Sequence, residues 1–350
     1  MEKQKVAIGM SGGVDSSVAA ALLLRQGYEV IGITMLLWNE ENGAADDAKA
    51  VCEKLGIKHY IADFRAEFKK SVMDYFADEY MNGRTPNPCI VCNRFLKFDA
   101  MQKFAKQLGA DKIATGHYAK IEYDEKADRH LIKVADAGKK DQTYVLYSLT
   151  QEQLASTIMP LGEIENKAET RRIAAELGFD IAEKADSMEI CFIPDDDYRA
   201  FLAKHTGKKC PEGDFVDIDG NVLGRHSGIS NYTVGQRKGL GIAFGKPMFV
   251  TKIDAEKNQV VLGEKGTEFS KVLFADKLNF IPFEKPDDKI EVMAKVRYGA
   301  KPAKATVFLQ DEDLAKVVFD EPQRAITPGQ AVVFYDLKEE ILIGGGIIRS

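Results

Sequence analysis

The stretch KVAIGMSGGVDSSVAAALLLRQG, residues 5–27, decides how the chain begins to fold. A short β-branched apolar run leads into glycines and serines. An apolar pattern with helical spacing then continues to Gly27, which is typical of a helix stop. Glycines permit a tight turn with close backbone approach, and the N–H groups at a helix start bind anions. The stretch therefore predicts a strand, a phosphate-binding loop and a helix in succession.

The loop GMSGGVDSS (9–17) differs from two common nucleotide-binding motifs. It lacks the lysine of a Walker A loop, and its glycines do not have the GxGxxG spacing of dinucleotide-binding folds. Asp15 is either a helix N-cap or a ligand for Mg²⁺ beside the phosphates. A plain glycine turn with a serine cap would explain the turn and the helix start, but not the whole string.

The first third of the chain alternates strand and helix patterns. Apolar runs predict further strands at 29–36, 58–64 and 111–119, the last of which runs into a loop. Helical spacing that ends in glycine predicts helices at 44–56 and 94–109. Repeated βα units predict a doubly wound α/β fold, with a parallel sheet and helices on both faces. Ligands on such sheets bind beyond the carboxyl ends of the strands.

The carboxyl half has a different pattern. After about residue 200, short strand patterns such as MFVTKID, EVMAKVRYG and AVVFYD alternate with turn signals. We therefore expect one or two small β-rich domains. Between the halves lies AEKADSMEICFIPDDDYRAFL, whose Pro-Asp-Asp-Asp break indicates a loop or a domain boundary.

Composition favours a reducing compartment. Of 350 residues, 45% are hydrophobic, 29% are charged and five are cysteines, an odd and low number that is unlike a disulfide scaffold. The N-terminus passes into a strand pattern without a signal peptide, and no apolar run approaches the roughly 18–20 residues of a membrane span. We expect a cytoplasmic protein with no membrane partner. The net charge of −6 neither indicates nor excludes nucleic-acid binding, because phosphate contact needs only local Lys and Arg.

A second motif, NPCIVCNRFLKF (87–98), carries two cysteines three positions apart. Such a pair can be half of a zinc site, a redox dithiol, part of an iron–sulfur site or two unrelated thiols. A closed zinc site needs four ligands, and no second CxxC or paired histidine follows. From the residues alone, Cys191 in MEICFIP is typical of a small buried side chain.

These motifs resemble those of known proteins at two levels. SGGVDSS after a buried strand resembles the PP-loop of ATP pyrophosphatases, which have an adenine nucleotide alpha hydrolase-like fold. In that family ATP is cut between its α and β phosphates, a substrate oxygen is adenylated, and a nucleophile displaces AMP. Eight motifs in order along the chain resemble the family of tRNA 2-thiouridylases, which thiolate the wobble uridine at position 34: GMSGGVDSS, NPCIVCNRFLKF, ATGHYA, KDQTYVL, SMEICFIPDDDYRAFL, YTVGQRKGLGIA, RYG and PGQAVVFYD.

The resemblance implies three domains and a set of site residues. The domains would be a PP-loop catalytic domain at 1–197, a small central tRNA-binding domain at 198–265 and a carboxyl-terminal β-barrel at 266–350. The residues that correspond to ATP contacts, with Mg²⁺ as a further cofactor, are Gly9, Met10, Ser11, Gly12, Gly13, Val14, Asp15, Ser16, Met35 and Gly116. The residues that correspond to tRNA contacts are Asn87, Pro88, Cys89, His117, Lys140, Asp141, Gln142, Arg297, Tyr298 and Gln330.

The resemblance also gives two cysteines a catalytic role in sulfur transfer. Cys191 would carry a persulfide whose terminal sulfur is delivered to C2 of the uracil, after O2 has been adenylated. Cys92 would free the sulfur from the persulfide, or close a Cys92–Cys191 disulfide as the product leaves. Both steps need thiolate character and thiol–disulfide exchange. The wobble base must leave its stack to react, while the β-rich half holds the tRNA by shape and backbone contacts.

Cys89 departs from the pattern of that family. Many members have an aspartate in this slot, and its carboxylate is a candidate acid/base that this chain lacks. Three interpretations follow. Cys89 is a spectator, or Cys89 and Cys92 form a dithiol that resolves the persulfide, or Cys89, Cys92 and Cys191 hold a [4Fe–4S] cluster whose open iron carries sulfide. Cysteine thiolates are the usual ligands of such clusters.

The implied partners are a tRNA with a wobble uridine, of the Lys, Glu or Gln type, and a sulfur donor. The donor would be a cysteine desulfurase, a relay protein, or inorganic sulfide if a cluster carries the sulfur. Two rival functions have less support. A small-molecule PP-loop amidotransferase would not need Cys92 and Cys191 but would need an ammonia source. An ATP-gated RNA-binding scaffold would leave both thiols without a purpose.

Overall fold

The computed structural model describes residues 3–38, 43–183, 190–193, 195–242, 245–286 and 288–349. The strands in chain order are β1 (Lys5–Gly9), β2 (Glu29–Leu36), β3 (Lys58–Asp63), β4 (Lys112–Ala114), β5 (Lys120–Asp124), β6 (Arg129–Lys133), β7 (Thr157–Ile158), β8 (Gly213–Val216), β9 (Val222–His226), β10 (Met248–Asp254), β11 (Gln259–Glu264), β12 (Phe269–Phe280), β13 (Lys289–Lys295), β14 (Ala303–Asp311), β15 (Leu314–Arg324), β16 (Ala331–Tyr335) and β17 (Ile341–Ile348).

The helical segments fall mainly in the first domain. The α-helical ones are Val14–Arg25, Ala44–Leu55, Arg65–Phe68, Tyr75–Met81, Pro88–Cys92, Met101–Gln107, Gln151–Ala155, Lys167–Glu176 and Tyr198–Thr206. The π-helical ones are Lys69–Asp74 and Asn93–Ala100, and the 3₁₀ turns are Gly138–Lys140, Thr143–Leu146, Asp180–Glu183 and Ile229–Asn231.

The first domain is built on a five-stranded parallel sheet with the order β3-β2-β1-β4-β7. Successive residues of a strand face opposite sides of the sheet, so Val6 and Ile8 belong to one apolar core and Ala7 to another. The helix that starts at Pro88 covers the second core. The first core is covered by the helices Val14–Arg25, Ala44–Leu55 and Lys167–Glu176. The predicted doubly wound α/β fold is confirmed.

The strand predicted at 111–119 is shorter than expected, because β4 ends at Ala114. The chain then turns towards the start of the first helix. A Cβ on Gly116 would lie 2.8 Å from the backbone nitrogen of Ser16. This close approach of two backbones draws the chain out of the sheet, and it places residues 115–117 over the loop that follows β1.

The helix predicted at 94–109 begins earlier, at Pro88. Asn87 is its N-cap, with Oδ1 accepting from the backbone N–H of Cys89 at 3.1 Å. Proline suits the first helical position, where no N–H is needed. The middle of this helix, Asn93–Ala100, is π-helical, and such wide turns occur frequently at functional sites.

The carboxyl half is β-rich, as predicted. A four-stranded sheet with the order β10-β11-β8-β9 packs around Phe215, Val250 and Val260. The last six strands run in the order β12-β15-β14-β13-β16-β17, and β17 pairs back to β12, so that they close a barrel. The predicted carboxyl-terminal β-barrel is confirmed.

The hairpin β5–β6 joins the barrel to the first domain. Ile341 and Leu342 of β17 pair with Lys133 and Ile132 of β6, so that the hairpin extends the sheet of the barrel. Ile132 and Leu342 also belong to the core that contains Ala7 of β1. The two domains therefore share both a sheet and an apolar core. None of the helices that the structure describes is long and apolar enough to cross a membrane.

Candidate active site

The predicted phosphate loop lies between β1 and the first helix, at the carboxyl edge of the sheet. Gly13 is the N-cap of the helix, without a side-chain cap, and Gly12 has a φ of 67°, which favours glycine. The hydroxyl of Ser16 donates to the carbonyl of Gly13 at 3.1 Å and accepts from the N–H of Ser11 at 3.2 Å. These bonds hold the turn at the start of the helix, and a helix N-terminus is suited to phosphate.

The structure brings the other predicted ATP residues to the same edge. Gly9 ends β1, Met35 lies next to the end of β2, and Gly116 follows β4. A Cβ at position 116 would approach within 2.9 Å of the carbonyl carbon of Asp15. Only glycine fits there without moving the loop.

Asp15 is not the helix N-cap, because that position belongs to Gly13. Its carboxylate is instead bound from outside the loop. The Nζ of Lys167 lies 2.8 and 2.7 Å from the two carboxylate oxygens, and the hydroxyl of Tyr118 donates to one of them at 2.7 Å. The same hydroxyl lies 2.8 Å from Oγ1 of Thr170. Lys167 is not predictable from the sequence, because nothing in its local sequence distinguishes it from a surface lysine.

The two cysteines of the CxxC motif have different surroundings. Cys89 is exposed, whereas Cys92, one helical turn later, is only 8% exposed. Burial raises the pKa of the Cys92 thiol to about 11, and the ammonium of Lys97 opposes this rise. The protein around Cys89 also raises the pKa of that thiol, again against the charge of Lys97. Both thiols are therefore neutral near pH 7.

The helix that starts at Pro88 and carries Cys89 and Cys92 is called the CxxC helix below, and it includes the π-helical stretch Asn93–Ala100. The segment that carries Cys191 packs next to this helix. Phe192 and Ile193 are buried in the apolar cluster that contains Cys92, whereas Cys191 itself is exposed. The two predicted catalytic cysteines thus come from distant parts of the sequence to one region. Positions 187–189 and 194 of the same predicted motif lie outside the described residues.

The predicted cluster ligands do not form a metal-binding group here. Among the described residues, no group of three or more His, Cys, Asp or Glu side chains could hold a metal ion. In this arrangement the described side chains therefore do not form a site for an iron–sulfur cluster or a structural zinc ion.

His117 connects the phosphate loop with the CxxC helix. It follows Gly116 directly, and its ring lies 5.8 Å, centroid to centroid, from the ring of Phe98 on that helix. Nδ1 is 2.8 Å from Oγ1 of Thr115. Burial, and secondly the charge of Lys97, hold the pKa of His117 well below its usual range, so the imidazole is neutral at pH 7. His117, a predicted tRNA contact, is therefore buried between these two elements.

The turn at 140–142 is held by the first domain and by the barrel. The backbone N–H of Gln142 donates to the carbonyl of Tyr118 at 2.9 Å, and its Oε1 accepts from the N–H of Tyr118 at 3.0 Å. From the barrel, the hydroxyl of Tyr298 donates to the carbonyl of Asp141 at 3.2 Å. The carboxylate of Asp141 accepts from Oγ1 of Thr143 at 2.6 Å. This side chain therefore shapes the turn.

Tyr298 also relates this turn to the CxxC helix. Burial is the main cause that raises the pKa of its phenol; Asp141 adds to the rise, Lys140 opposes it, and Cys89 lies near enough to add to it once that thiol ionises. Its side chain is nevertheless 44% exposed, and Arg297 beside it is exposed. The structure therefore gathers these predicted tRNA residues around the exposed end of the CxxC helix.

Gln330, another predicted tRNA contact, forms a hydrogen bond within the protein. Its side-chain Nε2 donates to the carbonyl of Thr85 at 2.8 Å. Thr85 lies two residues before Asn87, at the entrance to the CxxC helix. Gln330 thus joins the barrel to the loop that precedes the predicted catalytic cysteine.

The fold and this site define a PP-loop nucleotide-binding protein of the HUP class with two β-domains attached. Residues 4–195 match the family described as the tRNA methyl transferase HUP domain. Residues 199–264 match the tRNA methyl transferase PRC-barrel domain, and residues 270–348 match the aminomethyltransferase beta-barrel domain.

Full-length relatives identify the family more closely. The chain is 54% identical to the tRNA-specific 2-thiouridylase MnmA of Acetivibrio thermocellus, over 100% of both chains. It is 53% identical to the protein of the same name from Clostridioides difficile, over 99% of this chain and 98% of that one. For the one from Caldicellulosiruptor saccharolyticus the identity is 52%, over 99% of each chain. The chain belongs to the tRNA-specific 2-thiouridylase family, which confirms the predicted family and class of enzyme.

Proposed function

We propose that this protein uses ATP to convert the wobble uridine of tRNA, at position 34, into 2-thiouridine, with release of AMP and pyrophosphate. The observation that carries the proposal is the turn at 115–117. Gly116 packs against the phosphate loop, and the ring of His117 packs against Phe98 on the CxxC helix. One short turn therefore lies between the proposed nucleotide site and the proposed site of sulfur chemistry, and contacts both.

The nucleotide half of the reaction uses the carboxyl edge of the sheet. The backbone N–H groups around Gly13 would bind the phosphates of ATP, and Gly116 leaves room for close backbone approach. Asp15 is the carboxylate that would hold Mg²⁺ to neutralise phosphate charge, and it would exchange its ion pair with Lys167 for the metal. Adenylation turns O2 of the uracil into part of a good leaving group, because AMP leaves far more readily than a carbonyl oxygen.

The sulfur half uses Cys191 and Cys92. The terminal sulfur of a persulfide on Cys191 attacks C2 of the adenylated uracil, and AMP leaves with the former O2. The thiolate of Cys92 then attacks Sγ of Cys191, breaks the sulfur–sulfur bond, and leaves 2-thiouridine and a Cys92–Cys191 disulfide. In the alternative order, Cys92 attacks the persulfide first and frees hydrosulfide, which attacks C2. A thiol reductant restores both cysteines after either order.

The partners follow from this chemistry. The substrate would be a tRNA of the Lys, Glu or Gln type, held by Asn87 and Pro88, the turn at 140–142 and Arg297 with Tyr298. The sulfur donor would be a cysteine desulfurase or a relay protein that loads Cys191, which is exposed. We also propose that the protein acts in the cytoplasm.

Cys89 stands where many family members have a carboxylate, and its surroundings favour one of its interpretations. Cys89 and Cys92 lie on one helical turn, and Lys97 acts on both thiols. We propose that Cys89 is a second resolving thiol rather than an acid/base. A cluster with inorganic sulfide as donor would require a rearrangement that brings Cys191 to both of them.

The test compares cysteine variants in tRNA thiolation. Purified protein, ATP, a persulfide donor and unmodified tRNA are combined, and 2-thiouridine is measured by mass spectrometry of the digested tRNA. Cys191→Ser and Cys92→Ser should each lower product formation by at least about a hundredfold, since an essential nucleophile is lost. Cys210→Ser is the matched control, because Cys210 packs against the core of the middle domain and contacts Met81, and it should retain wild-type turnover.

Full turnover by Cys191→Ser would contradict the assignment of the persulfide. Pyrophosphate release provides a separate measurement on the same samples. It should depend on added tRNA, because the adenylated oxygen belongs to the uracil. Release that is independent of tRNA but dependent on a small amine acceptor would favour the rival amidotransferase.

A further inference from the structure

The segment at 83–86, which we call the junction segment, lies directly before the CxxC helix and is contacted by both β-domains. On the barrel side, the backbone N–H of Thr85 donates to the carbonyl of Pro328 at 2.8 Å, and Nε2 of Gln330 donates to the carbonyl of Thr85 at 2.8 Å. Both backbone polar groups of Thr85 are thus satisfied by one turn of the barrel.

The backbone of this barrel turn lies in direct contact with the backbone of the junction segment. Gly329 lies between the two bonding residues with a φ of 90°, a conformation that favours glycine. A Cβ at that position would lie 2.9 Å from the nitrogen of Thr85 and 3.0 Å from Cβ of Arg84. The barrel turn therefore cannot shift along the junction segment without a steric clash.

The middle domain holds the other end of the junction segment. A Cβ on Gly83, whose φ is 70°, would lie 2.6 Å from Cγ2 of Ile253. The hydroxyl of Thr85 lies 3.5 Å from that of Thr233. The short segment 83–86 is therefore held between the two domains that are proposed to bind the tRNA.

The position of the junction segment fixes the start of the CxxC helix. Asn87 follows it directly and caps the helix through the N–H of Cys89. Pro86 and Pro88 fix φ near −65° on either side of Asn87, so few backbone torsions are free between Thr85 and the helix. A shift at Thr85 is consequently transmitted to Cys89 and Cys92.

We infer that Gln330 is a positioning residue, which acts through Thr85 to set the CxxC helix, and that the junction segment fixes the placement of Cys92 relative to the β-domains. The inference rests on the proposed function for its kinetic consequence. It gives the side chain of Gln330 a role other than a direct tRNA contact.

The experiment compares Gln330→Ala and Gln330→Glu with the control Gln323→Ala. Gln323 lies on the same barrel, and its side-chain amide also donates to a backbone carbonyl, that of Glu321. Gln330→Glu keeps the size of the side chain but places an acceptor opposite the carbonyl of Thr85. It therefore tests the bond even if the alanine variant is unstable.

Hydrogen–deuterium exchange of the full chain without tRNA is the first measurement. In both Gln330 variants the backbone N–H groups of Thr85, Asn87 and residues 89–92 should exchange about tenfold faster than in wild type, because the bond to Thr85 is lost. Gln323→Ala should match wild type. Unchanged exchange in both Gln330 variants would overturn the inference. This measurement does not depend on thiolation, so it stands even if the proposed function fails.

Kinetics and tRNA affinity are the second measurement. A positioning residue should lower kcat about tenfold or more at saturating tRNA, since small displacements of reacting groups are costly, and leave the Kd for tRNA within about twofold. A tenfold weaker Kd with unchanged kcat would show a direct tRNA contact and overturn the inference. Wild type that binds tRNA but forms no 2-thiouridine would count against the proposed function, and the exchange data would then decide the structural part.

Discussion

At the scale of single residues, the proposed sulfur transfer depends on the protonation of Cys92. Burial raises the pKa of this thiol to about 11, and a neutral thiol is a poor nucleophile. In the proposed mechanism, a persulfide on Cys191 would therefore be protected from Cys92 until substrate binding changed the surroundings of the thiol. The ammonium of Lys97 opposes the rise in the pKa of Cys92 and therefore favours its thiolate.

This leads to a pH prediction for the protein without tRNA. Only the thiolate reacts with iodoacetamide, and with a pKa of about 11 the thiolate fraction of Cys92 is about one in a thousand at pH 8. Alkylation of Cys92 should therefore rise about tenfold per pH unit from pH 7 to pH 10, as measured by peptide mass spectrometry, whereas an ordinary thiol levels off above about pH 9.

Lys97→Gln supplies the sign of the electrostatic effect. Removing the ammonium should raise the pKa of Cys92 further and slow its alkylation at every pH in that range, while the surface variant Lys103→Gln should not. A plateau below pH 9 in wild type, or faster alkylation in Lys97→Gln, would contradict this account.

Site residues that stand together in one sequence motif could be predicted from the sequence. The residues from distant segments that contact them could not. The serines, glycines and carboxylate of the loop stand together in GMSGGVDSS, so their common site was evident. Lys167 lies 152 positions from Asp15, and only the packing of two helices brings them together. The same holds for Gln330 and Thr85, because a bond between distant loops leaves no periodicity or spacing in either segment.

At the scale of elements, the CxxC helix depends on its first turn. Pro88 removes one unsatisfied N–H, and Asn87 satisfies that of Cys89. The following stretch Asn93–Ala100 is π-helical, which makes the α-helical turn with the cysteines a short one between a proline and a wide turn. The N-cap is thus a principal local restraint on the placement of both thiols.

Asn87→Ala should loosen this turn selectively. Losing an N-cap costs about 1 kcal/mol, which corresponds to about fivefold faster hydrogen exchange for the amides of residues 89–92. Asn87→Asp retains the acceptor and should exchange like wild type. Equal exchange in the alanine variant would mean that the contacts of the junction segment alone hold the turn.

Patterns of apolar residues gave the parallel strands and the long helices, because these elements bury whole faces. The hairpin β5–β6 escaped prediction, since KIEYD and RHLIK mix charged and apolar residues without a strict alternation. Its pairing partner, β17, lies about 200 residues further on, and strand order of this kind is set by tertiary packing.

At the scale of the whole molecule, the barrel and the PP-loop domain form one mechanical unit. A single apolar core contains Ala7 and Ile113 of the parallel sheet, Ile132 of the hairpin, and Val333 and Leu342 of the barrel. Independent domains have separate apolar cores, whereas these residues of both domains belong to one core. We therefore expect the two domains to unfold together.

Leu342→Ala tests this cooperativity. Leu342 is fully buried, and such a truncation costs about 2–5 kcal/mol. The melting temperature, followed by calorimetry, should fall by about 4 °C or more, and hydrogen exchange should rise in the distant strand β1 as well as in the barrel. Leu337→Ala is the control, because Leu337 is 53% exposed. Faster exchange confined to the barrel would show that the domains unfold separately.

The sheet that the hairpin shares with the barrel has a consequence for protein engineering. Domain boundaries drawn along the chain would assign residues 120–133 to the catalytic part, yet β6 pairs with the first residues of β17. A chimera that moved only the barrel to another PP-loop enzyme would leave Ile341 and Leu342 without their strand partners, and an unpaired strand segment promotes aggregation. A working transplant would have to carry the hairpin as well, and thus follow the hydrogen bonds instead of the order of the chain.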